Sequence, residues 1–187
     1  MIAYAFCGSF CTLSHSLAAL RRLRADGYDD ILPIMSDAVY NTDTRFWKAV
    51  EFRRTVEGLC GRSIIHTVVD AEPLGPAISA DALVIAPCTG NTLAKLANAI
   101  TDGPVTMAAK AHLRSDRPTL LALASNDSLS AGLHNIATLL ARKNVFFVPM
   151  RQDDPLKKPH SLVADFTEIS ECLEDCMIGR QRRPLFL

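Results

Sequence analysis

Four apolar runs limit what this chain can fold into: "IAYAFC" at 2 to 7, "ALVIAP" at 82 to 87, "TLLALA" at 119 to 124 and "VFFV" at 145 to 148. Each is strand-length, and none alternates with polar residues, so each reads as a strand covered on both faces. "ILPIM" (31 to 35) and "SIIHTVV" (63 to 69) fit two further strands, the former at an edge or an irregular start because Pro33 has no amide to donate. Between the runs the spacing turns helical. Leu13, Leu17, Leu20 and Leu23 lead to a stop at Gly27, and Asp43 or Thr44 can cap a helix running to Gly61. Further helices follow over Thr92 to Thr101, from Pro104, through Leu129, Leu133, Ile136, Ala137 and Leu140, and over 161 to 178 before a short tail. Strand and helix alternating six times predict an open, mainly parallel six-stranded α/β sheet with helices on both faces, of flavodoxin or Rossmann type. The absence of a linker-like stretch predicts one domain over 1 to 187.

Charge and cysteine content narrow the function classes. Twenty basic side chains balance twenty acidic ones, which gives a polyanion no electrostatic footing and argues against nucleic acid as a partner. No run of eighteen apolar residues suggests a membrane span, and "MIAYAFC" lacks the basic start and cleavage site of a signal peptide, so a cytoplasmic location is expected. The six cysteines, Cys7, Cys11, Cys60, Cys88, Cys172 and Cys176, include no C-x-x-C and have no histidines spaced to complete a tetrahedral site. They are expected as thiols, with no metal.

In an open parallel sheet, ligands bind beyond the carboxyl ends of the strands. Three loops fall there: "GSFCT" (8 to 12), "SDAVYNTDTR" (36 to 45) and "PCTGN" (87 to 91). They offer glycine, hydroxyls and the first amides of helices with hardly any acid, a composition suited to an anion such as a phosphate. Gly8 and Ser9 would let backbone approach the anion, and Ser36 would add a hydroxyl from the next strand. Neither the G-x-G-x-x-G fingerprint nor the G-x-x-x-x-G-K-[ST] loop is present. The plainer alternative is that Asn91 or Thr92 is only a helix cap, and that Lys95, one turn further on, is only solvated.

"APCTGNTLAKLANAITDGPV" (86 to 105) resembles the flavin-binding segment of the flavin-containing cysteine decarboxylase superfamily. The order of "GSFCT", "SDAVYNTDTRF", "DAEPLGP", "TDGPVTMAAKAHLR", "ASNDSLS", "KNVFFVP" and "KKPHSLVAD" is similar to its branch of dipicolinate synthase B-subunits, and the likeness fades after about Cys176. The resemblance implies an FMN whose phosphate lies among Gly8, Ser9 and Ser36. Thr89, Gly90, Asn91 and Thr92 would face the ribityl chain and ring, with Pro87 shaping the turn. Two departures matter. "AEPLGPAIS" carries no histidine where cysteine decarboxylases have one, and "LASNDSLS" replaces their proline-methionine-asparagine signature, so cysteine decarboxylation is rejected.

What the branch implies instead is a dehydrogenation shared with a nicotinamide-binding A-subunit, which would use NAD or NADP. The pair would oxidise dihydrodipicolinate to pyridine-2,6-dicarboxylate, a constituent of bacterial endospores, in the cytoplasm of the mother cell. The superfamily also implies a trimer-based homo-oligomer. A dicarboxylate substrate calls for cations, for which Arg45, Lys110 and Arg114 are candidates. His112 and Asp127 are candidate proton carriers, although a histidine on an apolar helix is more often a core residue and Asp127 is also placed to cap a helix at 128. Two alternatives stay open: a non-catalytic scaffold for the A-subunit, and a flavin prenyltransferase.

Overall fold

The structure is a computed structural model that describes residues 1–75 and 77–187; Pro76, which closes the "DAEPLGP" segment, lies outside the described residues. Seven strands form one sheet: β1 (Ile2–Phe6), β2 (Ile31–Met35), β3 (Ala82–Cys88), β4 (Thr119–Ser125), β5 (Val145–Phe147), β6 (Met150–Arg151) and β7 (Leu162–Ala164). The helices are α1 (Leu13–Ala25), α2 (Asp37–Asn41), α3 (Ala49–Cys60), α4 (Val68–Ala71), α5 (Gly90–Ala97), α6 (Pro104–Leu113), α7 (Leu133–Leu140) and α8 (Ile169–Met177). Strands β2, β1, β3 and β4 lie side by side in parallel. The outer edge of β4 is shared: β5 pairs in parallel with its first half, and β7 pairs antiparallel with Ala124 and Ser125 and is followed outward by β6.

The unbroken apolar strands are explained by two cores. Tyr4, Phe6, Val84, Ala86, Leu120 and Ala122 face one layer, where α1, α3 and α8 supply Leu17, Leu20, Phe52, Val56, Ile169 and Leu173. Their sequence neighbours Ala3, Ala5, Leu83, Ile85, Leu121 and Leu123 face the other, against Leu93, Leu96, Ala108, Ile136 and Leu139 of α5, α6 and α7. The strand period of two thus serves both faces at once. Buried Tyr4 pins the first layer in place, since its hydroxyl donates to the Ser16 carbonyl at 3.1 Å while the Ser16 hydroxyl donates to the Ala86 carbonyl. This joins β1, α1 and the end of β3, where the functional loops begin.

Several elements differ from the sequence expectation. The loop read at 36 to 46 contains α2, and α3 begins at Ala49 after Lys48 rather than directly at Asp43 or Thr44. "SIIHTVV" is not a strand: Ile65 makes a single bridge to Ile34, and the Thr67 hydroxyl accepts the Asp70 amide at 3.1 Å to start α4. The expected helix over 161 to 178 is split. Leu162–Ala164 complete the edge of β4 as a strand, and Asp165 caps the turn that leads into α8. The sheet therefore has seven strands, with β7 and then β6 added through antiparallel pairings. Residues 126 to 132 form turns rather than the start of a helix, with the Asp127 carbonyl accepting the amides of Ser130 and Gly132. Pro33 does sit on an edge strand, and α3 ends at Gly61, whose φ of 64° suits a residue without Cβ.

Candidate functional site

The chain leaves β1 toward β2 on one side and returns from β2 to β3 on the other, so the strand order reverses between β1 and β3. Hydrogen bonds hold the three strand ends level at that point. The Cys7 amide donates to the Pro87 carbonyl at 3.2 Å, and the Ser36 amide donates to the Phe6 carbonyl at 3.0 Å. The loops starting at Gly8, Ser36 and Thr89 therefore emerge as neighbours, as the reversal of strand order requires for a crevice.

Two adjoining clefts open over these loops and share Gly8, Thr89 and Asn91. The smaller, about 410 Å³, adds Ser36, Asp37, Thr92, Lys95 and the Asp102–Thr106 stretch. The larger, about 800 Å³, adds Ser9, Cys11, Thr12, His15, Gly90, Ser125, Asn126, Asp127, Asp153, Lys158 and Ser161. Seven of the eight expected cofactor residues thus line one continuous groove. The eighth, Pro87, is buried beneath it, joined to Ala86 by a cis peptide in the irregular end of β3.

The hydroxyls divide into committed and free. Thr89 is the true cap of α5, its Oγ1 accepting the Thr92 amide at 3.1 Å and contacting the Thr92 hydroxyl at 3.0 Å. Asn91 and Thr92 are not caps; the amides of Gly90 and Asn91 precede any intrahelical acceptor. Ser36 precedes α2 without a side-chain cap bond, and its Oγ is buried with no partner among the described residues. An unpaired buried hydroxyl at the rim of a cleft is a group whose bonding capacity is unused by the chain itself. At Gly90 a Cβ would stand 2.5 Å from the Ser125 Oγ and 2.9 Å from the Asp127 Oδ1, so any larger residue would push these two side chains aside. At Gly8 the added atom would meet the Ala38 Cβ at 3.4 Å, an ordinary contact.

The groove holds more acid than its loops suggested. Asp37 and Asp102 reach the smaller cleft, and Asp127 and Asp153 the larger. Lys95 is paired with both oxygens of Asp102 at 2.8 Å, and this bond holds the Asp102 carboxyl below its ordinary range. Lys158 is paired with Asp153. Burial disfavours the thiolate of both cysteines beneath the groove, pushing Cys7 up to about 11 and raising Cys88 well above its ordinary value. Among the described residues no three His, Cys, Asp or Glu side chains gather as a metal ion would need.

The candidate catalytic residues do not come together. Asp127 lies in the larger cleft, where its carboxylate accepts the Ser125 hydroxyl at 2.6 Å. Arg45 is exposed on the loop before α3 and rests over the Phe46 ring at 4.8 Å, outside both clefts. His112 is fully buried at the end of α6, with Nε2 2.9 Å from the Pro118 carbonyl just before β4. That places it at the opposite edge of the sheet, and burial lowers its basicity. Lys110 and Arg114 share that helix end. Ser125, Asn126 and Lys158 do not stand out in the sequence. The first two close β4 and follow it, at the same strand-end position as the three hydroxyl-rich loops, whereas nothing in the polar run around Lys158 marks it as facing a cleft.

A family model described as Flavoprotein matches residues 20–176. The dipicolinate synthase B-subunit of Bacillus subtilis (strain 168) is 40% identical over 186 residues, covering 100% of this chain and 92% of that protein. The crystal structure of the dipicolinate synthase B-subunit from Bacillus halodurans superposes with a TM-score of 0.90 at 38% identity, covering 100% of this chain and 95% of that one. The FMN-dependent cysteine decarboxylase SpaF shares the fold, with a TM-score of 0.69 at 22% identity over 94% of this chain and 95% of that one.

Proposed function

Because the chain belongs to the flavoprotein family, within the group of dipicolinate synthase B-subunits, we propose that it holds FMN along the paired clefts and acts as one subunit of a dipicolinate-forming oxidoreductase. The observation that carries this reading is the levelled set of strand ends with the unpartnered Ser36 hydroxyl among them. Gly8, Ser9 and Ser36 would hold the phosphate. Thr89, Gly90, Asn91 and Thr92 would face the ribityl chain and ring, over the floor that Pro87 shapes. FMN supplies a two-electron acceptor when bound. The chain's own part is to orient the reacting atoms and exclude water. The proposed substrate is dihydrodipicolinate, whose loss of two electrons and two protons gives the aromatic dicarboxylate. The proposed partner is a nicotinamide-binding A-subunit using NAD or NADP, and the chain is proposed to assemble as a trimer-based oligomer in the cytoplasm.

Purified chain titrated with FMN is expected to show flavin absorbance at one equivalent. Co-expression with the A-subunit, with each of the two omitted in turn, is expected to yield pyridine-2,6-dicarboxylate only when both are present. A second reading, a scaffold that binds the A-subunit through a vestigial flavin site, draws on the acid in the groove: Asp37 stands beside Ser36, and Lys95 is already engaged. It predicts product from the pair but no flavin spectrum after FMN addition.

A further inference from the structure

The dicarboxylate of the reading above needs a cation, and the cations expected from the sequence lie outside the groove. The larger cleft has one lysine or arginine in its described wall, Lys158. It is carried on the connection between β6 and β7, whose returning arm is tied to the loop after β4. The Leu129 amide donates to the His160 carbonyl at 2.9 Å, and the Ser161 hydroxyl donates to the Ser125 carbonyl at 3.3 Å. The turn itself is closed by the Lys158 amide donating to the Asp154 carbonyl at 2.7 Å. Lys158 thus lines the same cleft as Ser125, Asn126 and Asp127. Its ammonium rests on Asp153, with the two side chains 55% and 39% exposed. An exposed pair of this kind contributes little and exchanges readily for another carboxylate. Without Lys158 the cleft would present Asp127 and Asp153 to a dianion, which like-charge repulsion disfavours.

We propose that Lys158 is the carboxylate-binding residue of the larger cleft, exchanging Asp153 for one carboxylate of a planar dicarboxylate ligand. This rests on the substrate class proposed above. Neighbouring Lys157 is exposed and absent from the cleft wall, so it matches Lys158 in charge and nearly in position without the contact. The test is calorimetric titration of the FMN-saturated chain with pyridine-2,6-dicarboxylate and with pyridine-2-carboxylate. Wild type is expected to prefer the dicarboxylate. Lys158→Gln should weaken both ligands, the dicarboxylate by about tenfold, and Lys157→Gln should leave both as they were. Undiminished dicarboxylate binding in Lys158→Gln, or an equal loss in Lys157→Gln, would overturn the assignment. Should wild type hold FMN yet bind neither pyridine, the substrate class itself is wrong and the role of Lys158 falls with it.

Discussion

Replacing Ser36 with alanine separates a structural hydroxyl from a binding one. The Ser36 Oγ is buried without a partner, and Ser36 makes no side-chain cap bond to α2. An unsatisfied buried hydroxyl costs about 1–3 kcal/mol, so its removal should leave the ligand-free chain as stable as before or more stable by up to about 1 kcal/mol. A hydrogen bond to a charged phosphate contributes about 1.5–3 kcal/mol, so the same change should weaken FMN by roughly tenfold to a hundredfold. Thr89→Ala is the contrast, because Thr89 Oγ1 accepts the Thr92 amide at 3.1 Å. Loss of that cap should cost about 1 kcal/mol with or without ligand. Urea midpoints of the apo proteins give the first quantity, and quenching of flavin fluorescence gives the second. Opposite signs for Ser36→Ala are the expected result. A destabilised Ser36→Ala that binds FMN like wild type would refute the reasoning.

Gly90→Val should abolish FMN uptake in dialysis while the chain stays folded by circular dichroism, because its side chain would displace the Ser125–Asp127 pair from the cleft. Asp175, with a side chain only 6% exposed, is bonded by Arg180 and Arg182 of the tail, chiefly Arg180, and its carboxyl is held below the ordinary range. Its stabilisation is therefore fully present above the unfolded value near ~3.9 and is lost as pH falls through the lower folded value. Asp175→Asn should lower the thermal midpoint at pH 7 and flatten the decline below about pH 4; an unchanged acid limb would contradict this. Burial pushes Cys7 and Cys60 up to about 11 and Cys172 and Cys176 up to about 12, whereas Cys11 is exposed. Iodoacetamide at pH 8 should label Cys11 first by mass spectrometry, and early labelling of Cys7 would show that the groove floor is open.

What the sequence made legible follows from range. The apolar runs of β1, β3 and β4 are dictated by burial on both faces, and the hydroxyl-rich loops after them are local text, so both could be read directly. The stretch at 63 to 69 misled because Ile64 and Ile65 look like strand while the Thr67 hydroxyl, three residues before the Asp70 amide, starts a helix instead. Leu162 and Phe166 fit a helical spacing, yet Leu162 is held by Ser125, thirty-seven positions away, through a pairing no local pattern records. The acid in the groove arrived the same way. Asp102 and Asp153 belong to loops that fold over the site from elsewhere, and Lys158 came with the second of them. His112 had the right chemistry in the wrong place, for α6 ends at the edge of the sheet where strands begin.

The central claim is that this groove grips a phosphate. Equilibrium dialysis of the apo chain against FMN and, separately, riboflavin measures that grip alone, since the two ligands differ only in the phosphate. FMN retained at one equivalent per chain with riboflavin largely lost is the predicted result. Equal retention of both, or retention of neither, would contradict it.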